Sequence, residues 1–357
     1  MLELLSPLAT VHSTHFLAAV GVAWAEVAED EQGVLVELVS SLRCFPTASL
    51  IGTLRQVVKS PPPVSGLKPG SSLDLACLQF FSSYLAATSN SQLGESWSCL
   101  RELLKDCASL SPPSVMLGLS ILHQFVVRGG AKELEKKESK EVQEMASRLV
   151  EAVAGIAGSR LEAGTWLRGS RGLREEGEGG EPSHAAEALS LLADQLSTLL
   201  DITWQSEEKD KVLPLLTTVM YNLTPYLHHH TSSSLPLLRA GSALLASLSE
   251  YQFTRRAWRK EGMDLLLEKE FFQMDHETLR SWVTTTDNLM THDKTTFKEL
   301  LARIASLGQS NISIFSSKEL EQEQRALLLK RLAFVIFCSD VDQYQKQMPD
   351  ITDRLNI

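Results

Sequence analysis

Cysteine, positive charge, long apolar runs and strand-like alternation are all scarce in this chain, and each shortage removes a class of protein. The five cysteines, Cys44, Cys77, Cys99, Cys107 and Cys338, are too few and too scattered for a disulfide framework, and no CxxC pair suggests zinc. They fit a reducing compartment. Lys and Arg number 34 against 44 Asp and Glu, a formal charge of −10 that argues against whole-protein attraction to nucleic acid or an anionic bilayer. A local basic patch could still act on either. The longest apolar run beyond the amino end, Val115 to Val127, falls short of the roughly 20 residues of a membrane span and contains His123 and Gln124. The opening residues lack a basic n-region and are interrupted by Glu3, His12 and His15, so no signal peptide is read there. The expectation is a cytosolic or peripheral protein. Gly177-Glu178-Gly179-Gly180 is acidic and has no following Lys-Ser/Thr, so it would repel phosphate rather than cradle it.

What remains is helical. Val, Ile, Thr and aromatics rarely alternate with polar residues, whereas Leu- and Ala-rich runs dominate, and the reading is all-α. At 357 residues, with 43% apolar and 22% charged residues, the chain can bury a core and should split into two domains or extend as a repeat array. Residues 2–58 predict two or three helices, with Val34, Leu35, Leu38, Val39 and Leu42 as the clearest stripe before Pro46. A Pro and Gly cluster from Ser60 to Ser72 is an exposed connection. Three stripes follow: Leu73, Ala76, Phe80, Phe81 and Tyr84; Trp97, Leu100, Leu104 and Cys107; Leu119, Leu122, Phe125 and Val126. Cys77 and Cys107 fall on these stripes and read as small buried hydrophobes. A fourth stripe, Val142, Met145, Leu149, Val153 and Ile156, follows the solvated charged run Lys132 to Glu144.

The segment 168–184 is rich in Gly and charge, cannot bury a core, and is the expected flexible linker between helical segments 1–167 and 185–357. Beyond it run Leu189, Leu192, Leu196 and Leu199, then Val212, Leu215, Val219, Leu223 and Tyr226, with Pro214 tolerable only in that helix's first turn. Asp275 is placed to cap a helix carrying Leu279, Trp282, Val283, Leu289 and Met290. Asp293 is placed to cap one carrying Phe297, Leu300, Leu301, Ile304 and Leu307, with Lys298, Glu299 and Arg303 left for water. Ser316 and Glu319 fit a capping box before Leu320, Leu328, Leu332 and Val335. Helices every twenty or so residues fit the ~40 to 47 residue period of HEAT or armadillo arrays, an α-solenoid of stacked antiparallel helix pairs. The alternative is a pair of compact helical bundles.

Few residues invite chemistry. His228-His229-His230 ends an apolar helix, has no acidic or thiol partner at i+4, and suits a C-terminal cap better than a metal site. His292-Asp293-Lys294 cannot converge on one atom and is better read as capping, and His12 and His15 as partly buried core histidines. Arg255, Arg256, Trp258, Arg259 and Lys260, with Tyr251 and Phe253 before them, form the dense basic and aromatic patch. It could meet anionic lipid, an acidic segment or single-stranded nucleic acid. The competing reading is a solvated helix face with Trp258 in the core.

Residues 251–260 (YQFTRRAWRK), 271–275 (FFQMD), 288–297 (NLMTHDKTTF), 323–334 (EQRALLLKRLAF) and 342–350 (DQYQKQMPD) resemble the carboxy-terminal part of the Dopey family. So do Leu2 to Pro7, Thr14-His15-Phe16, 151–168 and 208–227. The resemblance implies a non-catalytic scaffold in traffic between Golgi and endosomes, cytoplasmic and peripheral on Golgi, trans-Golgi network and endosome membranes. It implies protein partners, a Mon-two-like Golgi scaffold and a lipid flippase of the P-type ATPase class, with no cofactor and no nucleic acid. It also implies a chain truncated at its end, since the family continues past Ile357. Self-association is left open, and so is the alternative of direct anionic-lipid or nucleic-acid binding through 255–260.

Overall fold

The computed structural model describes residues 2–42, 46–67, 72–129, 131, 134–161, 184–228, 235–268, 275–292, 295–306, 322–323 and 326–330. Among them every regular element is a helix. They divide into two compact units: one holds the described residues up to Ile156 together with Thr198–Glu208, the other those of 157–197 and from Lys209 onward. The linker expected at 168–184 lies outside the described residues except for His184, whose imidazole meets Glu187 at 2.8 Å.

The first unit begins with α1 (Leu2–Val11), α2 (Ser13–Glu26), α3 (Gln32–Ser41) and α4 (Thr47–Lys59), four helices where two or three were expected. It continues with α5 (Leu73–Ala87), the short α6 (Asn90–Glu95), α7 (Trp97–Cys107), α8 (Pro112–Val127) and most of α9 (Lys136–Ala157). Pro46 stands just before α4, and Pro112 and Pro113 open α8, where a missing N–H costs nothing. The helices α2, α5 and α8 pack side by side as one row, and α4 packs on α7 in a second row. Trp24 meets Phe80 edge to face at 5.6 Å between ring centroids, and Trp97 stacks on Phe125 at 5.3 Å. Arg128 donates to the carbonyls of Leu85 and Thr88 and so closes the end of α5. Across the second row, Arg55 reaches Glu102 at 3.2 Å and Asp106 at 2.6 Å, Lys59 reaches Asp106 at 3.2 Å, and Arg101 reaches Glu141 of α9 at 2.7 Å. The Lys105 ammonium, followed by Arg55 and Arg101, holds Glu102 below the usual carboxylate range against a smaller opposing effect of burial.

The stripe read on α3 needs correction. Val34 is 64% exposed, whereas Val36, Val39 and Leu42 are buried. Six of the seven residues from Gly33 to Val39 are Val, Leu or Gly on every side of a short helix, so spacing alone could not choose its buried edge. Cys77 and Cys107 are wholly buried, and burial pushes both thiols up to about 12.

In the second unit, the first part of α10 (Ala185–Thr203) buries Ala188, Leu189, Leu192 and Leu196. The chain goes on through α11 (Leu213–Leu227), α12 (Leu235–Ser249), α13 (Arg255–Leu265), α14 (His276–His292) and α15 (Thr296–Ser306). Pro214 sits in the first turn of α11 as its sequence required. Helix α12 packs on α14 and α11 on α13, again as two rows, with α11 touching α12 between them. Tyr226, with no exposed surface, donates its hydroxyl to the Ala157 carbonyl at the end of α9. Asp275 caps α14 as expected: it accepts the Glu277 N–H at 3.3 Å, the Thr278 hydroxyl, and Arg239 Nε at 3.0 Å. Desolvation is the largest single effect on Asp275 and works upward, but those hydrogen bonds together leave the carboxyl below its ordinary range. The expected caps Asp293 and Ser316 lie outside the described residues.

Side-chain bonds between neighbours in a row recur at a steady sequence separation. It is 40 for Ser114 to Asp74, 42 for Gln124 to Ser82, 40 for Trp282 to Ser242, 39 for Asn288 to Ser249 and 41 for Arg255 to Thr296. Between α4 and α7 it lengthens to 47 and 51, because the extra helix α6 intervenes.

Helices α2 and α5 lie close together at Gly21, where a Cβ would overlap the Cys77 sulfur and lie 3.2 Å from Leu73 Cδ1. Gly21→Ala should therefore lose about 1–3 kcal/mol to overpacking, more than the ~0.5–1 kcal/mol of helix propensity it gains. Thermal melts should show a lower Tm for Gly21→Ala and recovery of most of it when Cys77→Ala is added.

Candidate functional site

The basic and aromatic patch is carried by α13 and the turn that leads into it. A 3-10 turn, Gln252–Thr254, buries Thr254, whose hydroxyl donates to the Tyr251 carbonyl at 2.8 Å and accepts Trp258 Nε1–H at 3.1 Å. That bond lets the indole sink completely, and Trp258 has no exposed surface. Gly262, one turn on, leaves room for the ring: a Cβ there would stand 3.3 Å from Trp258 Cε3.

The cationic members divide in two. Arg255 Nη2 donates to Thr296 Oγ1 at 2.9 Å, and Arg259 pairs with Glu299, both on α15. In the reverse sense Arg303 of α15 pairs with Asp264 of α13, so three rungs join the two helices. Glu299 and Arg303 keep the wet side expected of them, 46% and 36% exposed, while serving as two of those rungs. Arg256 and Lys260 point outward; the Arg256 side chain is 78% exposed and only loosely opposite Asp210 at 3.7 Å. Sequence reading did not include Lys209, whose ammonium lies 4.3 Å over the Phe253 ring. A Lys more than forty residues before an aromatic gives no linear signal of such a contact.

The histidines fall apart as a cluster. His228 is the residue after α11, and its Nδ1 meets Glu268 Oε1 at 2.5 Å; His229 and His230 lie outside the described residues. The hydrogen bond that the protonated ring donates to Glu268, aided by the charges of Glu268, Glu261 and Asp264, raises His228 above the ordinary imidazole value despite desolvation. Of His292-Asp293-Lys294, only the backbone of His292, at the end of α14, is described. His12 and His15 were expected to be partly buried, yet both are exposed, 6.4 Å apart between rings, because the inward face of α2 is filled by Leu17, Ala18, Val20 and Trp24. Among the described residues no group of three or more His, Cys, Asp or Glu could hold a metal ion. No single described helix is long and apolar enough to cross a membrane.

A family model described as DOP1 C-terminal matches residues 80–357. The chain belongs to the Dopey (DOP1) family. It is similar to Protein DOP1 homolog of Drosophila melanogaster, at 42% identity over 99% of this chain and 15% of that protein. It is also similar to Protein DOP1B of Mus musculus, at 37% identity over 99% of this chain and 17% of that protein. Protein pad-1 of Caenorhabditis elegans is 30% identical over 100% of this chain and 20% of its own length. The chain thus spans a small part of its Dopey relatives, 15–20% of their length in these three.

The division of the Dopey patch can be read in stability. Trp258→Ala should cost roughly 3–5 kcal/mol, as for other buried large-to-small changes. Arg255→Glu with Arg259→Glu should lower the denaturant midpoint by placing acid against Glu299, whereas Arg256→Glu with Lys260→Glu should leave the midpoint nearly unchanged. Urea unfolding followed by circular dichroism checks all three.

Proposed function

We propose that this chain is a non-catalytic docking scaffold, a stretch of α-solenoid in each unit, acting in protein and membrane traffic between Golgi and endosomes. The observation that carries the solenoid is the recurrence of row-to-row side-chain bonds at 39 to 42 residues in both units, the length of one helix pair. Stacked pairs bury their facing sides and leave outer helix faces for partners, and membership of the Dopey family supports the trafficking role. On this reading the partners are a Mon-two-like Golgi scaffold and a lipid flippase of the P-type ATPase class. The location is the cytoplasmic side of Golgi, trans-Golgi network and endosome membranes.

Affinity capture with the 357-residue chain beside a full-length relative tests this. Both should recover the Mon-two-like scaffold or the flippase; recovery of chaperones alone by this chain would place the docking surface elsewhere in the longer protein.

A second reading, contact with anionic lipid, is favoured by the exposure of Arg256 and Lys260 and by Lys209 beside Phe253. Vesicles containing phosphatidylserine should carry the chain upward in a flotation gradient. The Arg256→Glu, Lys260→Glu variant should stay at the bottom, and unchanged flotation rules the patch out.

A further inference from the structure

We propose that His228 is a proton-controlled clasp joining the carboxyl-terminal ends of α11 and α13. The two helices lie in one row and run to neighbouring ends, with His228 immediately after Leu227 and Glu268 three residues after Leu265. Each end carries carbonyls without an intrahelical partner and the negative pole of a helix dipole, so apposing them is unfavourable without a cation. Three carboxylates add to that charge: Glu261 and Asp264 in the last turns of α13, and Glu268 beyond it. The imidazole is placed against them, 2.5 Å from Glu268 and 35% exposed, so a proton can reach it from water.

Among the described residues, the other elements around His228 supply little competing charge. Helix α11 has no ionisable Asp, Glu, Lys, Arg or His from Leu213 to Leu227. Helix α12, packed on α11, has Arg239 as its one charged residue, engaged with Asp275 at 2.9 Å and Glu277 at 3.2 Å. The end of α9 meets α11 through Ala157 and Gly158, both uncharged. From α15, Arg303 is committed to Asp264. The charges of Glu268, Glu261 and Asp264 all act on the His228 ring.

The sign of the effect follows from the raised imidazole. A group whose affinity for protons is greater folded than unfolded stabilises fully below its unfolded value, 6.5, and loses that contribution as pH rises through the higher folded value. The clasp is shut in mildly acidic solution and loosens as pH rises above that range.

Histidine-labelled NMR titration of the 357-residue chain, with His228 assigned from the His228→Gln spectrum, tests the clasp. Its midpoint should lie above that of ordinary histidines and fall back in Glu268→Gln. Hydrogen exchange in residues 223–227, corrected for intrinsic rate, should rise as pH passes the midpoint in the parent chain and stay level in His228→Gln. A midpoint at or below the ordinary value, one that Glu268→Gln leaves in place, or the same exchange profile in His228→Gln would overturn the proposal.

Discussion

Burial on two flanks is the constraint from which the rest of this protein follows. Trp97, Trp258 and Trp282 are each at most 1% exposed, and an indole can be sealed that completely only if helices stand on either side of the one that carries it. A lone helix pair has too few neighbours to do that. The same requirement appears in α5, where Ala76, Cys77, Leu78, Phe80, Phe81, Tyr84 and Leu85 are buried around much of the circumference, against α2 on one side and α8 on the other. Once each helix needs a neighbour before and after it in its row, the chain must return to the same row at a regular interval. The interval is set by two helices and their turns.

Polar side chains then fix how far each helix slides along the next. The hydrophobic effect is nondirectional, and ridges of Leu and Ala can interlock in more than one register. Trp282 Nε1 on Ser242, Asn288 on Ser249, and the Arg255, Arg259 and Arg303 rungs allow one register each, since a slip of a single turn would separate all of them. Individually the exposed ion pairs contribute only a few tenths of a kcal/mol. Their worth lies in geometry shared across several rungs, and this explains why a basic cluster that resembles a binding patch in one dimension is partly consumed inside the protein.

How much of this the sequence disclosed depended on whether a feature is local. The Asp275 cap was legible because its donors are two and three residues away, and Pro214 because a proline in the first turn has no intrahelical N–H bond to lose. Stripes such as Leu189, Leu192 and Leu196 were legible because the rest of the helix is polar enough to leave one dry side. Val34 misled because its helix is apolar all round, and α6 escaped notice because a helix of six residues is too short to show a period. Patch residues were legible as a group but not in their roles: Arg255 and Arg256 are adjacent in sequence, yet one is bonded to Thr296 and the other faces water. Nothing within ten residues of either distinguishes them, because the deciding partner lies one helix pair away.

The same geometry limits what a linear cluster on such a helix can do. Successive residues on an α-helix point about 100° apart, so five consecutive positions sweep the whole circumference. In a stacked row that circumference is already divided among two neighbours, the opposite row and solvent. Residues 255–260 illustrate the division: Arg255 and Arg259 go to α15, Trp258 to the core, and Arg256 and Lys260 outward, four apart on one side. Two outward groups on a single helix cannot enclose a small molecule. Any recognition surface that uses Arg256 and Lys260 has to draw its other residues from neighbouring helices.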